Sequence, residues 1–275
     1  MSATVEVQQF RPVEHRVTFP GLVRSEWIKF WSVRSVVMTM AASFLATIGI
    51  GVAFSFAARS IMSSADPTQG PPGLDALAAS TTGAQIATLV VASVGVIVIA
   101  GEFSTGMIRT SFVTAPGRLG VFFAKALVLA VTVAVVLGVA VFVAFLLGQA
   151  ILNTRDFGIS IGDAGVLRAL LGTVALLVGV ALAGLGLGAL MRNSAGAICT
   201  VVAAIFVVPP LLQLVPDSWG GDTVNEYFFT NTTNNLVSVS DAPGFLPPGA
   251  GLAVFAVWVA VLLGVGALSV KTRDV

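Results

Sequence analysis

The residues that could do chemistry are few: one histidine, one cysteine, and 14 basic and 13 acidic residues in a chain of 275. The histidine, His15, stands in the N-terminal tail. A Ser–His or Cys–His nucleophile pair, or a His-bearing metal cluster, therefore cannot assemble among the apolar stretches that make up most of the chain. Those stretches hold no acidic residue, which removes an aspartyl dyad or a carboxylate proton relay at membrane depth. Repeated arginine, the basis of a voltage sensor, is missing too. None of the lysines, Lys29, Lys125 and Lys271, follows a glycine, so no G-x-x-x-x-G-K-[ST] phosphate loop exists. No catalytic residue, bound cofactor or metal ligand set is expected. Work on a substrate must then be driven by another polypeptide or by a gradient, and the lack of ionisable groups in the spans argues against the gradient.

Two charged clusters remain. The first is Leu22-Val23-Arg24-Ser25-Glu26-Trp27-Ile28-Lys29-Phe30-Trp31, after Pro20-Gly21. Val23, Trp27, Phe30 and Trp31 share one helical face, with Arg24, Ser25, Lys29 and Ser32 opposite. That pattern describes a helix lying in the headgroup plane, or else the aromatic belt and basic flank of the first span. The second cluster is Gly101-Glu102-Phe103-Ser104-Thr105-Gly106-Met107-Ile108-Arg109, running on to Phe112, Pro116-Gly117-Arg118 and Lys125. Ser104 or Thr105 can cap a short helix and Pro116-Gly117 can end it. Met107, Ile108 and Phe112 beside Arg109 then make an apolar contact flanked by charge, the composition of a docking knob for a soluble partner. Read by itself, the same segment is simply a loop.

Composition says what must position these clusters. Hydrophobic residues are 56% of the chain and, with the 29 glycines, about two thirds, while only 10% of residues are charged. Soluble domains carry about 25% charge, so a soluble enzyme, a nucleic-acid binder and a disordered chain are excluded. Six charge-free stretches predict an all-α membrane protein with spans at about 35–58, 80–101, 121–148, 169–191, 195–216 and 249–270, each long enough to cross a bilayer. Residues 1–21 are read as a tail, 22–34 as an interfacial helix, 35–270 as one transmembrane domain with a loop at 102–118, and 271–275 as a short C-terminus. The first stretch is too long and too far from the N-terminus for a cleavable signal. Placing both termini in the cytoplasm puts eleven basic residues inside and three (Arg59, Arg155, Arg168) outside, with acidic residues dividing five to eight the other way.

Within the spans, rows of small and hydroxylated residues stand out. Ser35, Thr39, Ser43, Thr47, Gly51 and Ser55 recur every fourth position in span one, and Thr81, Gln85, Thr88, Ala92 and Gly95 follow in span two. Such rows either pack helices closely or line a weakly polar path. Ala175, Gly179, Ala183, Gly184 and Gly188 in span four, and Ala256, Ala260 and Gly264 in span six, read as tight packing. Cys199 is read as packing. Pro209-Pro210 with Gln213 suggests a broken helix near the outer surface, and the run from Thr230 to Asn235, which contains a glycosylation sequon at Asn231, reads as a solvated loop.

Gly101-Glu102-Phe103-x-x-Gly106-x-Ile108-Arg109, then Pro116-x-Arg118, then Lys125, resembles the permease subunits of type-2 ATP-binding-cassette (ABC) transporters. The upstream Glu26-x-x-Lys29, with Ser32 and Arg34, is similar to the connecting helix these permeases place before span one. Six spans, cytoplasmic ends and a length near 275 residues agree; Met107, where the family more often has Thr, departs from it. The resemblance implies that Glu102, Phe103, Gly106, Met107, Ile108, Arg109, Phe112, Pro116 and Arg118 form an ATPase-coupling segment, and that Glu26, Trp27, Lys29 and Trp31 belong to the connecting helix. It implies two ATPase subunits, which bind the ATP and magnesium, a second permease subunit (same or different), export across a bacterial plasma membrane, and no nucleic acid partner. Spans one, two and five would face the second permease, making Thr39, Ser43, Thr47, Gln85, Thr88 and Gln213 the candidate pathway or dimer seam. An uncharged lining suits hydrophobic or amphipathic cargo such as a lipid, peptide or drug-like molecule. The alternative is a non-transporting membrane scaffold or assembly factor.

Overall fold

The computed structural model describes residues 18–64, 75–104, 106, 118–155 and 157–272. Helix α1, Phe19–Ser32, opens with Pro20 in its first turn, where a missing N–H is harmless. It ends at Val33, whose extended backbone breaks it from α2, Arg34–Ser64. Next come α3, Ala76–Ser104, α4, Arg118–Leu152, and α5, Val166–Met191. Two residues then separate α5 from α6, Ser194–Leu212. Arg192 takes the left-handed conformation there, and the Asn193 side chain caps α6 by accepting from Gly196 N–H at 3.0 Å. The last long helix is α9, Pro248–Thr272. Six of these helices, all but α1, are long and apolar enough to cross a membrane, and no strand forms among the described residues.

Helices α3, α4 and α5 form the centre: 56%, 50% and 56% of their most apolar stretches are buried, against 28%, 17% and 28% for α2, α6 and α9. Small residues set the spacing. A Cβ on Gly95 of α3 would strike the Ala181 carbonyl of α5, and one on Gly184 would strike the Ala92 carbonyl in return. Span one's row also packs. Gly51 sits on the Ser80 backbone, Gly83 on Thr47, and Gly148 of α4 on Ser55 and Ser80. Thr47 and Ser55 turn their hydroxyls to their own helix, on Ser43 and Gly51 carbonyls, so close approach leaves no orphan donor at either.

Four expectations need correction. In span six, Ala256, Ala260 and Gly264 lie on the exposed face. The contact runs instead through Gly251, Phe255, Val259 and Gly266, because the Phe255 ring fills the notch at Gly179 while Gly186 and Gly266 meet backbone to backbone. Cys199 is exposed on α6 and does not pack inside. Pro209-Pro210 does not break α6: a π turn at Ala203–Val207 makes room for the prolines and the helix runs on to Leu212, short of the expected 216. The run from Thr230 to Asn235 is not solvated. After the short helix α7, Gly221–Tyr227, it forms a 3-10 turn at Asn231–Thr233 and helix α8, Asn234–Val237, with Asn231, Thr232, Thr233 and Asn235 buried. Asn231 Nδ2 donates to the carbonyl and side chain of Asn225, and Asn235 ties Ala242 to Phe245. A sequon acceptor spent this way is not presented for glycosylation.

Replacing Gly95 with Leu forces α3 off α5, with a cost at or above the roughly 1–3 kcal/mol of ordinary overpacking. Gly264→Leu, which meets nothing within 4 Å, leaves stability unchanged. Thermal unfolding of both variants in nanodiscs checks the contrast.

Candidate functional site

The functional candidates that sequence reading placed in separate segments meet at one end of the bundle. Glu26 and Lys29 come from α1, Glu102 from the last turn of α3, and Lys125 from the second turn of α4. Lys125 Nζ donates to Glu26 Oε2 at 2.6 Å and to Glu102 Oε1 at 2.9 Å. Lys29 Nζ donates to Glu26 Oε1 at 3.0 Å and to Glu102 Oε1 at 2.8 Å. Charges thus alternate around a ring in which each carboxylate bridges both lysines. The side chains of Lys125, Glu26 and Glu102 are 5%, 5% and 9% exposed, and that of Lys29 27%. Burying any one of these charges alone would be prohibitive, and only the closed set is tolerable.

The ring explains two departures from the sequence pattern. Helices α3 and α4 extend past the first charges they meet, to Ser104 and back to Arg118, because those charges are paired. In α1 the expected apolar face splits. Glu26 and Phe30 turn into the bundle, while Trp27 and Trp31, rings 5.9 Å apart, face outward. Lys29, expected on the polar face, is drawn inward. Burial alone would lower its pKa, but the hydrogen bond and charge of Glu102, with those of Glu26, raise it above the ordinary lysine value. Its contribution to stability is therefore complete below the ordinary value and is lost only as pH rises through the raised one. Neutral pH does not loosen it.

The end of α3 is held from a second side. Arg192, between α5 and α6, places its guanidinium 4.9 Å from the centre of the Phe103 ring and donates to the Ser269 carbonyl of α9 at 3.2 Å. One residue thereby joins Phe103 to three further helices. Beyond it Gly106 adopts φ +72°, where a side chain would be strained, and its N–H turns back to Phe103 O. Sequence reading gave Arg192 only a place in the charge asymmetry and in the short link between spans four and five. Its partners Phe103 and Ser269 lie 89 and 77 positions away, and no local pattern announces them.

Of the remaining expected coupling residues, Arg118 begins α4, and Met107, Ile108, Arg109, Phe112 and Pro116 lie outside the described residues. The expected pathway residues do not form one surface. Ser43 and Thr47 are buried in packing and Thr39 is half-buried, whereas Gln213 is exposed at the far end of α6. Gln85 and Thr88 line a separate cavity of about 160 Å³ with Thr81, Thr173 and Asp75. Among the described residues no group of His, Cys, Asp and Glu could hold a metal ion.

Fold and site define a six-span helical membrane architecture with a buried ion-pair ring at one end. Compared with protein-family models and with curated proteins, the chain matches none.

Lys125→Met leaves two buried carboxylates to one lysine and should destabilise the protein by about 3–5 kcal/mol. Adding Glu102→Gln should restore a large part of that loss. A double-mutant cycle by thermal unfolding measures it.

Proposed function

We propose that this chain is the permease subunit of an ATP-driven ABC exporter, working with a second permease subunit and two ATPase subunits that bind the nucleotide and magnesium. One observation carries the reading: Glu26, Lys29, Glu102 and Lys125, the charged residues of the two sequence elements that resemble type-2 permeases, converge on a single ring. A segment that couples an external motor to a bundle must be anchored where it enters and leaves. Here the segment between α3 and α4 is anchored at both ends, by Glu102 and Phe103 on one side and Lys125 on the other. Motion of that segment would reach α1 through the ring and α5, α6 and α9 through Arg192.

In this reading the ring end is cytoplasmic, in line with the eleven-to-three distribution of basic residues, and both termini lie inside a bacterial plasma membrane. Trp27 and Trp31 of α1 then sit at headgroup level. The buried hydroxyls of span one favour packing over a conduit within the single chain, so a pathway would run along the seam with the second permease. Cargo is hydrophobic or amphipathic.

Purification of the tagged chain from native membranes in mild detergent should recover a phosphate-loop ATPase, whose hydrolysis is stimulated by the permease. Arg109→Ala should cut that stimulation by about tenfold, the loss of one charge-assisted contact of roughly 1.5 kcal/mol. Recovery of no ATPase would favour the scaffold alternative.

A further inference from the structure

Beside the ion-pair ring lies a cavity of about 290 Å³, at the small end of the roughly 300–1,000 Å³ typical of ligand sites. Val33, the exposed residue between α1 and α2, is part of its lining. Phe30, Val33, Val36, Ile97, Val98 and Val128 form its apolar lining, and the four members of the ring with Ser35 its polar part. Three of those members are more than nine-tenths buried, so this is a built polar end on an apolar chamber.

The hydrogen-bond inventory says what such an end accepts. Two negative and two positive charges cancel, so a charged headgroup entering the chamber would be left uncompensated at large cost. Both lysines bond Glu102 through Oε1, and Oε2 takes none of the hydrogen bonds among the described residues. Lys125 Nζ has three N–H groups and gives two of them, to Glu26 and Glu102. Glu102 Oε2 is thus an acceptor and the third Lys125 N–H a donor at this polar end, which a hydroxyl or a primary amide satisfies together.

We propose that this cavity binds an uncharged single-chain amphiphile, a long-chain alcohol or amide. Its head donates to Glu102 Oε2 and accepts from Lys125 Nζ, and its tail lies against Phe30, Val36 and Val98. The proposal stands independently of any ATPase partner.

Photolabelling of the full chain in nanodiscs tests it, with decanol, decanoic acid and decylamine each carrying a diazirine in the tail. Decanol should label peptides containing Phe30–Val36 and Ile97–Gly101 saturably. The two charged analogues should label them at least about tenfold less, since each would bury an unpaired charge worth more than about 1.4 kcal/mol. Val98→Phe, which fills the chamber, should abolish decanol labelling while leaving the thermal midpoint in place. Val33→Phe, at an exposed residue of the lining, serves the same purpose if the first variant fails to fold. Mass spectrometry of lipid retained by the wild type but not by the filled variant distinguishes a bilayer source, such as a monoacylglycerol, from a diffusible ligand. Equal labelling by all three probes, labelling that does not saturate (bulk lipid only), or labelling that survives both fillers would overturn the proposal.

Discussion

Four charges that could not be buried singly are buried together, and the arrangement of one end of this bundle follows from that. The ring of Glu26, Lys29, Glu102 and Lys125 draws α1 against α3 and α4, although α1 turns two tryptophans outward and fully buries only Glu26 and Phe30. Without the ring, α1 would dock through little more than Phe30, Val23 and Leu22. With it, the helix is held by charge-assisted bonds in a site from which water is largely excluded, where such bonds are stronger than at a surface.

The rest of the bundle is held by a different force. Apolar side chains gain little from leaving lipid for protein, so helix association there depends on close approach. The contacts at Gly95, Gly184, Gly83 and Gly186 supply it. Two kinds of adhesion thus divide the molecule: backbone contact through small residues along the spans, and an ion-pair ring with the Arg192–Phe103 clamp at one end. The clamp and the ring grip neighbouring residues, Phe103 and Glu102, which makes the end of α3 the point where forces on the adjoining segment divide between α1 and α4 on one side and α5, α6 and α9 on the other.

Helix number and approximate bounds were legible in the sequence because lipid demands long charge-free stretches, and the two charged clusters were legible because charge was so scarce elsewhere. Partners were not. A motif such as Glu26-x-x-Lys29 states spacing along one helix and says nothing of Glu102 or Lys125, whose bonds close loops of many tens of residues. The same limit explains the mistaken face of α9, where composition marked Ala256–Ala260–Gly264 and the notch at Gly179 chose Phe255 instead. It also explains the Asn/Thr run: polar composition predicts exposure, yet Asn225, Ala242 and Phe245 satisfy its amides internally, which no local pattern reveals.

Proximity across the α1–α4 contact shows whether the ring holds α1 to the bundle. A Cβ at Gly120 would lie 3.2 Å from Leu22 Cδ1, so Leu22→Cys with Gly120→Cys, in a Cys199→Ser background, places two thiols within reach of a short bis-maleimide in native membranes. Cross-linking should be efficient and fall severalfold when Glu26→Gln is added. Cross-linking that is unchanged by Glu26→Gln would show that α1 is held by something other than the ring.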